Sequence, residues 1–317
     1  MVGAERIRKV ACVGAGTVGH SWATLFSAKG YEVLVYDASE EVLSGVLERV
    51  RSNLMAMARG GLIGQDEVER ALARITIVGS IREAVEDADY AQESVFESYE
   101  VKKSVFREMD QHAPEDIVLA SSSSGLLMTE IQKATTRPWR CVIAHPWNPP
   151  HLIPLVEIVP GRETSEETIR TTYEFMEALG KVPIVVRKEV PGYVGNRLAA
   201  ALFREAIDLV LKGVVTVEDV DKAVRAGPGI RWALMGPFLT YHLGGGPGGL
   251  KRFLEHLTPA FESWWKDMAS WTEMPREAHE ILPKGVEEMV KGKKYEDLVS
   301  WRDETLIKLL KLLYGGP

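Results

Sequence analysis

In the first half of the chain, short runs of Val, Ile and Leu with little polar alternation recur between longer stretches whose apolar residues repeat at helical spacing. The runs fall at residues 9–13, 32–36, 75–78, 90–92, 117–121, 142–144, 155–159 and 183–186. A strand with one wet face alternates apolar and polar residues; a strand covered on both faces has no need to. The runs therefore predict a mostly parallel sheet with helices on both sides. Residues 40–59 and 101–111 carry the helical period and predict two of those helices.

After Glu189 the strand-like runs stop. Residues 197–212 read as a long helix, apolar over much of its surface. Residues 217–225 read as another, with Thr216 as its N-cap. The glycine run 244–249 reads as a loop, and helical segments rich in Trp and Leu continue to the end. A series of βα units followed by a series of helices predicts two domains, at 1–189 and 190–317, joined at Glu189-Val190-Pro191-Gly192.

The 317 residues are ample for two cores. A net charge of -7 argues against nucleic acid or an anionic membrane as partner, since both require a basic face. The cysteines, Cys12 and Cys141, lie inside apolar runs and read as buried thiols. Their spacing suggests neither a disulfide framework nor a metal site, and no metal is expected. The first ten residues lack the apolar core of a signal peptide, and no apolar run reaches the roughly 18 residues of a membrane span. The expectation is a cytoplasmic protein.

The run at 9–13 leads directly into Gly14-Ala15-Gly16-Thr17-Val18-Gly19, followed by a helix over 21–29. In that setting G-x-G-x-x-G is a dinucleotide fingerprint. Gly14 makes the tight turn, Gly16 lets a pyrophosphate approach the backbone, and Gly19 lets helix and strand pack closely. The helix start offers unpaired N–H groups to the phosphates. Eighteen residues after Gly19, the second run ends at Asp37, placed to accept hydrogen bonds from the ribose hydroxyls. Its charge would repel a 2′-phosphate, and residues 38–41 add no cation, so the site favours NAD. The fold class expected is α/β: a Rossmann-type doubly wound, mostly parallel sheet, followed by a smaller all-α C-terminal domain.

Three further segments carry candidate chemistry. The serine run 121–124 follows a strand, where ligands of open α/β sheets bind; a polar loop or helix cap would look the same. His145 also ends an apolar strand. Imidazole titrates near neutrality, which suits removal of a hydroxyl proton. Glu157 lies inside an apolar run, where a carboxylate is costly without a partner. An imidazole that becomes charged in turnover would be such a partner. Asn196, at the domain joint, either donates to a substrate oxygen or caps the next helix.

Together these motifs resemble the 3-hydroxyacyl-CoA dehydrogenase superfamily, and within it the branch containing L-gulonate 3-dehydrogenase and lambda-crystallin. The resemblance rests on GAGTVG, the serines ending at Ser124, HPWNPPHLIPLVE and VPGYVGNR, and covers nearly the whole chain. It implies that His145 is the general base and Glu157 its orienting carboxylate. Ser124 and Asn196 would bond the reacting oxygen or the histidine, and Glu97 and Lys102 would line the nicotinamide side. It also implies that the helical domain walls the substrate cleft and forms a homodimer. Three positions depart from the pattern: Gly125 replaces a serine, Gly195 a larger aliphatic, and Trp147 a smaller residue.

The resemblance thus implies NAD-dependent oxidation of a 3-hydroxyl. A free 3-hydroxy acid such as L-gulonate is expected rather than a CoA thioester. Residues 51–61 hold two cations where the acyl-CoA enzymes are lysine-rich, and Arg231 could grip a carboxylate with paired hydrogen bonds. L-Carnitine and 3-hydroxyacyl-CoA are the alternatives. For carnitine, aromatic faces from Trp147, Trp232, Phe238 and Tyr241 would suit the trimethylammonium. Outside enzymes, a crystallin-like structural role or an NAD-binding regulator would fit the same fold.

Overall fold

A computed structural model of the protein describes residues 1–315. Each of the eight apolar runs forms a strand: β1 Lys9–Val13, β2 Glu32–Tyr36, β3 Ile75–Ile77, β4 Tyr90–Glu93, β5 Val118–Ser121, β6 Cys141–Pro146, β7 Leu155–Pro160 and β8 Val182–Val185. They make one sheet in the order β3-β2-β1-β4-β5-β6-β7-β8. Strands β1 to β6 are mutually parallel. Strand β7 runs antiparallel to β6, and β8 parallels β7. Neighbour order reverses between β1 and β4, and such a switch point opens a crevice at the carboxyl ends of the strands.

The lack of alternation has its expected cause, because the sheet carries a core on each face. On one face Trp22 and Phe26, from the helix Thr17–Ala28, stack with Phe175 from Glu166–Ala178. On the other, Phe106 and Met109 from Tyr99–His112 pack with Ile143 and Val159. Both cysteines are buried free thiols. Burial pushes both up, Cys141 to about 12.

Several boundaries differ from the expectation. The helix after the glycine fingerprint begins at Thr17, inside the motif. The periodic stretch 40–59 is two helices, Glu40–Ser44 and Val46–Arg59, broken at Gly45. The glycine run 244–249 is largely absorbed by the end of one helix, a 3-10 turn and the start of the next.

The chain divides into two compact units, Met1–Asn196 with the segment from Ser300 onward, and Arg197–Val299. The second unit is helical throughout, with Val217–Ala226, Pro228–Leu234, Pro237–Gly244, Gly249–Asp267 and Ala278–Val290 among its elements. In the first unit the C-terminal segment joins the sheet domain through a small cluster of Met57, Leu152 and Ile307. A Cβ on Gly60 would stand 2.4 Å from Ile307 Cγ2, so glycine is what lets the segment lie there. That return lies outside the expected division at 189/190. No helix among the described residues is long and apolar enough to cross a membrane.

Candidate active site

The glycine fingerprint is built as its chemistry requires. Gly14 has φ +99, and a Cβ there would meet the Ser94 backbone at 2.6 Å. A Cβ on Gly19 would lie 1.8 Å from the Gly14 carbonyl oxygen. Above Gly16, by contrast, a Cβ would find nothing within 4 Å, which leaves room for a phosphate. No side chain caps the helix at Gly16, so the amides of Thr17 and Val18 remain available to an anion. Asp37 accepts from Ala15 N–H at 2.7 Å and Ser39 N–H at 2.9 Å, fixing the carboxylate beside the loop. Sequence reading missed Arg49, whose guanidinium donates to the Ala15 and Val42 carbonyls and brings a cation to the same loop. His20 turns back on its own helix, Nδ1 donating to the Gly16 carbonyl at 2.8 Å. Open backbone over Gly16, free amides and a positioned acid fit a dinucleotide.

His145 and Glu157 are directly opposite each other across the β6–β7 ladder. Their side chains meet, His145 Nδ1 lying 2.9 Å from Glu157 Oε2. A carboxylate only accepts, so Nδ1 is the donor and Nε2 is the ring nitrogen left for a substrate. Both residues are buried. Removing a carboxylate from water costs several kcal/mol unless donors replace the lost hydration. Glu157 has four: the imidazole, the N–H groups of Val194 at 2.8 Å and Gly195 at 3.0 Å, and Trp147 Nε1 at 3.4 Å. Burial pushes this carboxyl up, but the hydrogen bonds from His145, Gly195 and Val194 outweigh it and hold the group below its ordinary range.

The two amides are aimed by a sharp turn. Gly192 and Tyr193 both take positive φ, +74 and +51. For tyrosine that conformation is strained. It is held by burial of the ring, by Tyr193 O–H donating to the Leu126 carbonyl at 2.6 Å, and by edge contact with the His145 ring at 5.4 Å. Tyr193 had no sequence signal beyond its place beside Gly192. The helix Gly195–Leu211 starts at this turn, so its N-terminal dipole also favours the Glu157 charge.

One hydrogen-bonded chain connects the other candidates. Asn196 Nδ2 donates to the Ser124 carbonyl at 2.8 Å. Ser124 N–H donates to Glu97 Oε1 at 2.8 Å, which also accepts from Ser123 Oγ and Gly125 N–H. Glu97 pairs with Lys102 at 3.3 Å. Burial raises the Glu97 carboxyl, yet Ser123, Lys102 and Ser124 together bring it below its usual range. Lys102 is buried and also donates to Glu93 at 2.8 Å, while Glu93 accepts from Ser121 Oγ. Glu93 was not foreseen: only its place at the end of β4 marks it. Lys102 therefore braces Glu93 and Glu97 from beneath the surface. Arg231 lies exposed in Pro228–Leu234 of the second unit, its guanidinium unpaired among the described residues.

A topological switch point, a nucleotide loop and an imidazole backed by a buried carboxylate define a dehydrogenase site. Comparison with known proteins agrees. The 3-hydroxyacyl-CoA dehydrogenase NAD binding domain matches residues 9–190, and the C-terminal domain of the same family matches 192–282. The chain belongs to the 3-hydroxyacyl-CoA dehydrogenase family and is an NAD-dependent 3-hydroxy acid oxidoreductase. It is 38% identical to the L-carnitine dehydrogenase of Streptomyces coelicolor over 311 residues, covering 98% of this chain and 96% of that one. It is 40% identical to a 3-hydroxyacyl-CoA dehydrogenase of Gibberella moniliformis, covering 96% and 95%. Among solved structures it resembles an NAD+-dependent dismutase, 5-formyl-3-hydroxy-2-methylpyridine 4-carboxylic acid 5-dehydrogenase, with TM-score 0.83, 27% identity and coverage of 98% and 100%.

Proposed function

We propose that the substrate is a small free 3-hydroxy acid of the L-carnitine type, oxidised at its 3-hydroxyl to the 3-oxo acid. Full-length similarity to L-carnitine dehydrogenases, at 36–39% identity, supports carnitine over the gulonate expected from the sequence. Trp147 offers an aromatic face beside the His145–Glu157 pair, of the kind that attracts a quaternary ammonium.

Bound NAD+ supplies the hydride acceptor. The protein supplies the rest. His145 Nε2 takes the hydroxyl proton, and Glu157 holds the ring orientation and balances the charge the imidazole acquires. Ser124 and Asn196 position the reacting oxygen, braced by Glu97 and Lys102. Gly14 to Gly19 and Asp37 seat the dinucleotide. Arg231 grips the carboxylate, so Arg231→Ala should raise KM for the acid far more than it lowers kcat. Exposed Leu198, Phe203 and Phe238 support a homodimer formed through the helical unit.

The observation that carries the chemistry is the contact of His145 Nδ1 with the buried carboxylate of Glu157 at 2.9 Å, which leaves Nε2 for the substrate. NADH formation with L-carnitine, L-gulonate, free 3-hydroxybutyrate and its CoA thioester tests the substrate. Turnover of carnitine above the others supports the proposal. Similarity to the Gibberella enzyme favours the thioester as the second reading, and turnover of the thioester alone would establish it instead.

A further inference from the structure

Away from the catalytic pair, the first unit contains a cavity of about 320 Å³. That is the lower end of the range for small-molecule sites, roughly 300–1,000 Å³. It lies where the helix Thr17–Ala28, the helix Val46–Arg59, the loop before β7 and the C-terminal helical segment meet. Leu25, Met57, Leu152 and Leu310 give it apolar walls. Its other chemistry is basic. Lys181 and His151 line it, Lys29 stands among the lining residues, and no Asp or Glu does.

Lys181 is 7% exposed. Its ammonium donates to the Pro150 carbonyl and, at 2.8 Å, to that of Ile153, and it lies 5.3 Å from the centre of the Trp22 ring. These are neutral partners. A buried cation normally has a carboxylate, and among the described residues this one has none. Burial, aided by the charge of Lys29, pulls Lys181 down to about 7. His151 is equally buried, its Nδ1 facing Ser21 Oγ at 2.7 Å, while its Nε2 is sealed from solvent with no partner among the described residues. Burial and the nearby Lys181, His20 and Arg302 hold that imidazole at about 3. The adjacent Asp303 is taken by Arg302 at 2.8 Å. The dehydrogenase chemistry uses neither Lys181 nor His151.

We propose that this cavity is a second ligand site, taking an aliphatic monocarboxylate whose chain lies against Leu25, Met57, Leu152 and Leu310 and whose carboxylate pairs with Lys181. The apolar walls fit a hydrocarbon chain and offer nothing to a sugar or a polyanion. The single buried ammonium fits one carboxylate, which would supply its missing counter-charge.

Calorimetry with octanoate and with octan-1-ol, on the NAD-loaded protein, tests the site. Octanoate should bind one per chain, at least tenfold more tightly than the alcohol. Lys181→Met should abolish that preference. Leu310→Trp, at a half-buried position on the wall, should fill the cavity and remove octanoate binding while leaving turnover of the hydroxy acid intact. The second variant also separates this site from the catalytic cleft, where a carboxylate could bind as a substrate analogue. Octanoate affinity unchanged in Leu310→Trp, or equal affinity for acid and alcohol in the parent protein, would overturn the proposal.

Discussion

Gly195 lies directly beneath the indole of Trp147: a Cβ on the glycine would stand 2.6 Å from Cζ2 and 2.9 Å from Nε1. The two positions for which the resemblance implies opposite departures, a larger Trp147 and a smaller Gly195, thus meet, and the absent Cβ leaves room for the indole. The same two residues both donate to Glu157, one through its backbone and one through its ring.

Introducing Gly195→Ala should therefore push the indole off its seat and disturb the carboxylate that both residues hold. We expect a drop in kcat/KM and a lowered Tm, with overpacking worth about 1–3 kcal/mol. Trp147→Phe in the same chain should recover most of both. A double-mutant cycle would show coupling of roughly 0.5–3 kcal/mol, and additive effects would contradict the volume exchange.

His145→Gln keeps a polar side chain of similar reach but removes the basic nitrogen. Turnover should fall by about two to four orders of magnitude, the usual worth of a positioned general base. NAD affinity, measured by fluorescence titration, should stay close to that of the parent because the glycine loop is untouched.

Glu157 should shape the acid limb of stability. Its carboxyl titrates below its ordinary 4.5 in the folded protein, so the unfolded chain binds this proton more readily. The stability it contributes is complete above that ordinary value and is lost as pH falls through the depressed one. Melting curves of Glu157→Gln against the parent should show a gap that is constant near neutrality and narrows below about pH 4.5. A gap independent of pH would mean that Glu157 is not ionised as described.

Gly60→Ala tests the return of the C-terminal segment. The new methyl meets Ile307, which is fully buried, so the segment must shift. A loss of about 1–3 kcal/mol is expected, read as a lower urea midpoint. No loss would place Ile307 elsewhere.

The nucleotide half was legible because its signals are local. Strand, glycines, helix and Asp37 follow one another within a few dozen residues, and each has a steric or electrostatic reason that acts on neighbours. His145 and Glu157 were legible for a different reason: a base at a strand end and an acid inside an apolar run each demand an explanation. What the sequence did not reveal depends on distant partners. The antiparallel direction of β7 has no signature in a short, largely apolar run, since such a run pairs in either direction. Glu93 looks like an ordinary strand-end charge until the fold buries it against Lys102. Tyr193 carries a conformation, not a composition. The contact of Lys311 with the Gly60 carbonyl joins residues 251 apart, beyond the reach of any periodicity.

The hairpin of β6 and β7 has a consequence for how this chemistry can be altered. Base and carboxylate stand on facing rungs of one ladder, so interstrand spacing sets their separation. The connecting residues 147–154 do not set that distance, although Trp147 among them reaches back to Glu157. The ladder sets distance but not charge: moving both strands onto another sheet would require carrying Trp147 and the Val194–Gly195 turn with them, since these supply three of the four donors to Glu157.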